Sequence, residues 1–116
     1  MKMHLNQKIT DIKKEFNDFF PGLSVEFYTK PHKEGHGSDV HEQIGEEALL
    51  KDISSMSEDE VIDIDSTMTV GEIEMHFQDK YGISIQIFRK SKDIWLQTSA
   101  TDHWTLEHQN IKGLES

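Results

Sequence analysis

At 116 residues and 13.5 kDa the chain has the size of one domain, and it is read as a single domain over residues 1–116 with an acidic, flexible insert at about 30–60. A formal net charge of −10 repels phosphate backbones, which excludes nucleic-acid binding through a basic surface. The absence of cysteine excludes disulfides, thiolate metal centres and cysteine nucleophiles.

Apolar runs such as Ala48-Leu49-Leu50 are far too short to cross a bilayer, and the first ten residues carry no signal-like stretch. The expectation is a soluble, cytoplasmic protein without membrane contact. Charge is unevenly placed: residues 1–30 sum to +1 (5 minus 4), 31–68 to −9 (2 minus 11) and 69–116 to −2 (5 minus 7).

In chain order, Leu5, Ile9, Ile12, Phe16, Phe19 and Phe20 recur at helical spacing and predict an amphipathic helix from Leu5 to Phe20, ended by Pro21-Gly22. Leu23, Val25 and Phe27 alternate with Ser24, Glu26 and Tyr28, which predicts a strand with one buried face. Periodicity then vanishes over Lys30–Gln43. A short helix is expected from Gly45 through Leu49, Leu50 and Ile53, then a polar linker, then a strand at Val61–Ile64.

The clearest signals lie between Thr69 and Thr98. Thr69-Val70-Gly71-Glu72 has the form of a capping box, in which hydroxyl and carboxylate each satisfy the other residue's main-chain N–H. Val70, Ile73, Phe77 and Tyr81 mark the buried stripe of a second helix, and Gly82 suits its left-handed exit. Ile83, Ile85 and Ile87 alternate as a strand. A turn centred on Ser91-Lys92 places Ile87 opposite Leu96, Phe88 opposite Trp95 and Gln86 opposite Gln97. Ile73, Phe77, Ile83, Ile85, Ile87 and Leu96 are then the core side. A short C-terminal helix ends at Gly113, and no internal repeat is evident.

The order strand, strand, helix, strand, strand resembles the β-grasp fold of ubiquitin-like proteins over residues 61–111. The resemblance rests on Thr69-Val70-Gly71-Glu72-Ile73, on Phe77-Gln78-Asp79-Lys80-Tyr81-Gly82-Ile83, and on Asp102 with Thr105-Leu106 and Asn110-Ile111. It implies a two-layer α+β domain. The chain ends Gly113-Leu114-Glu115-Ser116 rather than in di-glycine, so the family's conjugation and sulfur-carrier chemistry is not expected.

Three surfaces are candidates for function. His32, His36 and His41, with Glu34, Asp39 and Glu42 beside them, are donors of the kind that hold zinc, although Gly35 and Gly37 oppose a fixed geometry and a solvated loop is the plainer reading. The paired acids Glu46/Glu47, Glu58/Asp59/Glu60 and Asp63/Asp65 have the composition of solvated surface, and no nucleophile motif or phosphate loop accompanies them, so no enzyme is expected. Gln86, Phe88, Trp95 and Gln97, with Trp104 nearby, have the composition of a protein-binding face. Two outcomes stay open for it: the N-terminal helix covers it as core, or it meets a protein partner. The leading expectation is a non-enzymatic interaction module, monomeric or homodimeric. The alternatives are a divalent-metal protein and an acidic decoy or inhibitor of a basic partner.

Overall fold

The computed structural model describes residues 1–28, 47–55 and 60–116. These form an α+β fold with three helices and five strands in two small antiparallel sheets. In order they are β1 (Lys2–His4), α1 (Ile9–Phe19), β2 (Leu23–Tyr28), β3 (Val61–Asp63), α2 (Val70–His76), β4 (Ser84–Ser91), β5 (Ile94–Gln97) and α3 (Leu106–Leu114). Helix α2 continues as a π-helical turn, Phe77–Tyr81, and 3₁₀ turns occupy Leu50–Ile53 and Ser99–Thr101. One sheet pairs β1 with β3, and the other has the order β2-β4-β5.

The helix expected from Leu5 to Phe20 is shortened at its start, and a strand that the sequence did not signal precedes it. Leu5 is fully buried, but it sits in the connection between β1 and α1, and α1 starts only at Ile9. Met3 and Ile62 are register partners across β1 and β3, and this long-range pairing fixes Lys2–His4 as a strand. The strand order predicted for the second half is present, but β2 and β3 lie in different sheets, each paired with a strand distant in sequence.

Contrary to the expectation from sequence, the chain contains an internal repeat. Ile9, Ile12, Phe16 and Phe20 of the first half correspond to Val70, Ile73, Phe77 and Tyr81 of the second, all buried. After a one-residue difference at the helix exit, Leu23, Val25 and Phe27 correspond to Ile83, Ile85 and Ile87. The main chain repeats the same pattern. Leu50 N–H donates to Gln7 O at 3.0 Å as Leu106 N–H donates to Met68 O at 2.9 Å, and Ile9 to Ala48 O (2.9 Å) as Val70 to Trp104 O (3.1 Å). Antiparallel pairing of equivalent strands, β1 with β3 and β2 with β4, is what a local two-fold relation between the halves requires. Of the corresponding residue pairs only Ile12/Ile73 and Phe16/Phe77 are identical, and the one-residue difference at the helix exit breaks the register, which hides the repeat in the sequence.

Each half braces the helix exit of the other. Ser55 N–H donates to Tyr81 O at 2.7 Å beside Gly82, whose φ of 65° is the left-handed exit. In the opposite sense, Gly22 N–H donates to Asn110 Oδ1 at 2.7 Å. Gly113 does not cap α3: the helix runs on to Leu114, and Gly113 is buried against the main chain of Gly22. The sequence pattern mistook a close backbone approach for a helix stop.

Candidate functional site

The inner face of the β2-β4-β5 sheet carries Leu23, Val25, Phe27, Ile85 and Ile87, which together with Ile9, Ile12, Phe16, Ile73 and Phe77 of the helices form one hydrophobic cluster. Alternation along the strands turns Ser24, Glu26, Tyr28, Gln86, Phe88, Lys90, Trp95 and Gln97 to the other face. On β2 and β4 these are half-buried, apart from exposed Lys90. The four residues of β5 are all exposed, Ile94 by 58%, Trp95 by 44% and Leu96 by 38%.

The hairpin register differs from the sequence expectation by two residues. Phe88 faces Gln97, Arg89 faces Leu96, Lys90 faces Trp95 and Ser91 faces Ile94. The connection is therefore Lys92-Asp93, with Lys92 in the left-handed region at φ 56°. Neither glycine nor asparagine marks this turn, so local chemistry did not locate it. A slip of two leaves each side chain on its predicted face, and Gln86, Phe88, Trp95 and Gln97 still share one side. Leu96, expected in the core, is exposed because β5 lies at the sheet edge. The N-terminal helix packs on the opposite face through Ile9, Ile12 and Phe16, and leaves Trp95 open to solvent.

Trp104 is not part of this face. Its ring stacks on His108 with centroids 4.3 Å apart, and the Arg89 guanidinium lies 5.4 Å from its centroid. Arg89 donates to Gln109 Oε1 at 2.9 Å, and Gln109, fully buried, donates in turn to Thr101 O at 2.7 Å and Thr101 Oγ1 at 2.9 Å. This chain locks the helix-side flank of the hairpin to α3. Sequence reasoning missed Gln109 because a buried glutamine has no periodic signature; only the fold supplies its partners.

The capping box forms as read: Glu72 N–H donates to Thr69 Oγ1 at 3.1 Å, and Thr69 N–H to Glu72 Oε1 at 2.8 Å. Further along the same helix Glu74 is half-buried, and its buried Oε2 has no hydrogen-bond partner among the described residues. Burial holds its carboxyl above the usual range; a main-chain hydrogen bond from Ile87 opposes this, and the charge of Asp102 adds to it. Folding therefore favours the protonated form, a contribution present below the ordinary carboxylate pKa and lost as pH rises through the raised one. Glu74→Gln keeps the acceptor for Ile87 and removes the buried charge. Discounted for partial exposure, it is expected to raise Tm by roughly 1–3 °C at neutral pH and to lose that advantage below about pH 4, as read by thermal melts across pH.

His32, His36 and His41 lie outside the described residues, as do Glu34, Asp39, Glu42, Glu46, Glu58 and Asp59. Among the described residues no three His, Asp or Glu side chains converge as a metal site would need. Of the described acids, Glu47 pairs with Lys8 (3.1 Å) and Glu60 with Lys80 (2.7 Å), while Asp63 lies near Lys2 (3.9 Å). A cleft of about 180 Å³ between β3 and α2, lined by Ile62, Ile64, Ile73 and Phe77 among others, is below the usual size of a small-molecule site. Among the described residues, no helix is long and apolar enough to cross a membrane.

The fold and this exposed hairpin define the chain as a small α+β protein with an apolar sheet edge that no described residue covers. No family model, curated protein or solved structure matches it.

Proposed function

We propose that the chain is a non-enzymatic protein-interaction module whose contact surface is the β4–β5 face of Gln86, Phe88, Trp95 and Gln97. The observation that carries the reading is Trp95: it is exposed on the same face as half-buried Phe88 and exposed Gln97, while the other described strands leave no large apolar side chain exposed except Val61. Trp95, with Lys90 opposite and Phe88 and Gln97 beside it on the same face, supplies a large contact area with polar groups at its rim, the usual make-up of an interface centre. The β-grasp-like reading of residues 61–111 belongs to the same proposal. It is supported by the Thr69 cap, the Gly82 exit and the β4–β5 hairpin, and it adds no chemistry of its own.

Trp95→Ala is the test. Because Trp95 is nearly half exposed, its removal is expected to change stability by less than about 1 kcal/mol. Affinity capture from a lysate of the native source is expected to lose specific partners with the variant while its melting curve stays in place. An identical set of captured proteins overturns the proposal.

A further inference from the structure

We infer that β5 is the pairing edge of a homodimer, joined antiparallel to β5 of a second copy into a continuous six-stranded sheet. The inference rests on reading this surface as an interface and adds the partner and the mode of contact.

Ladder geometry comes first. The pairs Arg89–Leu96 and Ser91–Ile94, and the hydrogen bond from Thr98 N–H to Ile87 O (3.3 Å), point the main-chain groups of Ile94, Leu96 and Thr98 toward β4. Those of Trp95 and Gln97 therefore point away, and no described residue pairs with them. Edge strands in soluble proteins are ordinarily blunted by proline, by charge or by a covering element. Residues 94–97 contain neither proline nor a charged residue and are exposed on both faces.

Self-complementarity identifies the occupant. An antiparallel pair about a two-fold axis at Trp95 places Trp95 against the second copy's Trp95, and Ile94 against its Leu96, on opposite faces of the new sheet. It also sets the Gln97 amide across from the Asp93 carboxylate of the other copy, a matched donor and acceptor. Every apolar side chain of the edge meets an apolar one, and no like charges meet. The chain already uses this arrangement internally, where the equivalent strands β2 and β4 pair antiparallel. Because each copy carries a net charge of −10, long-range repulsion opposes association and salt relieves it.

Sedimentation equilibrium of the full chain from about 5 to 500 μM is the experiment, at salt concentrations between about 0.05 and 0.5 M. The expected result is a monomer–dimer equilibrium that tightens with salt. Trp95→Lys should weaken it at least about tenfold while leaving Tm in place at concentrations where both chains are monomeric, since it places two cations face to face in the dimer. Hydrogen exchange should show the Trp95 and Gln97 amides protected in proportion to dimer, which stacking through the sheet face would not produce. A monomer throughout the range, association weakened by salt, or a dimer indifferent to Trp95→Lys overturns the inference. A monomer that still captures a partner through Trp95 overturns the dimer alone and leaves the proposed function standing.

Discussion

Gly113→Ala is expected to destabilise the protein by about 2–4 kcal/mol, measured by denaturant unfolding, although alanine inside a helix ordinarily stabilises by about 1 kcal/mol relative to glycine. The sign inverts because a Cβ at Gly113 would collide with Gly22 O, a backbone atom with no side-chain freedom to give way. The reciprocal position is equally tight: a Cβ at Gly22 would lie 2.5 Å from Asn110 O. Relief requires α3 to move off the turn between α1 and β2, which strains the bond from Gly22 N–H to Asn110 Oδ1 and the buried chain of Arg89, Gln109 and Thr101 on the same helix. Gly113→Ala at unchanged or increased stability would mean that this approach is looser than described. A control is available at Gly71, where a Cβ would meet Asp102 O at 3.3 Å; Gly71→Ala should cost far less and can gain from helix propensity.

Leu50→Ala and Leu106→Ala are each expected to cost about 2–5 kcal/mol, the range for fully buried leucines, read as shifts in denaturant midpoint at constant slope. Both side chains are fully buried. They occupy equivalent places in the two halves, each following a residue bridged to a helix cap: Leu49 to Lys8, and Thr105 to Thr69. Their burial closes the two helix starts, so either truncation loosens both a helix cap and the shared core. If the halves are related as the main-chain bonds indicate, the two losses should agree within about 1.5 kcal/mol, since differences at fixed chemistry reflect how far each site can collapse. Leu50→Ala within about 0.5 kcal/mol of wild type, with Leu106→Ala costly, would reduce the repeat to a likeness of shape without shared energetics.

These two results bear on the proposed interface as well. Packing of α3 against β4 and β2 fixes these strands, and β4 in turn holds β5. Trp95 is presented by a rigid scaffold, while its own truncation leaves the core intact. A hairpin held this way can lose its exposed aromatic without unfolding, which keeps binding and stability separable in experiment.

Periodicity and end signals alone placed the main elements. Phe16 and Phe77 at helical spacing, Val25 and Ile85 at strand spacing, and the Thr69 cap are local facts, and burial of one face per element follows from them. Alternation also assigned Phe88 and Trp95 to one side of the sheet, and that assignment survived a register error because a slip of two preserves faces. What lay beyond the sequence was long-range pairing. Met1 to Leu5 became a strand and its exit because β3 was there to receive it. Trp95 and Leu96 stayed exposed because β5 lies at the sheet edge. Gly113 turned from a helix stop into a contact because Gly22 approaches it across the fold. In each case the deciding partner is distant along the chain, and a pattern read within a few residues carries no information about a neighbour that only the assembled core brings near.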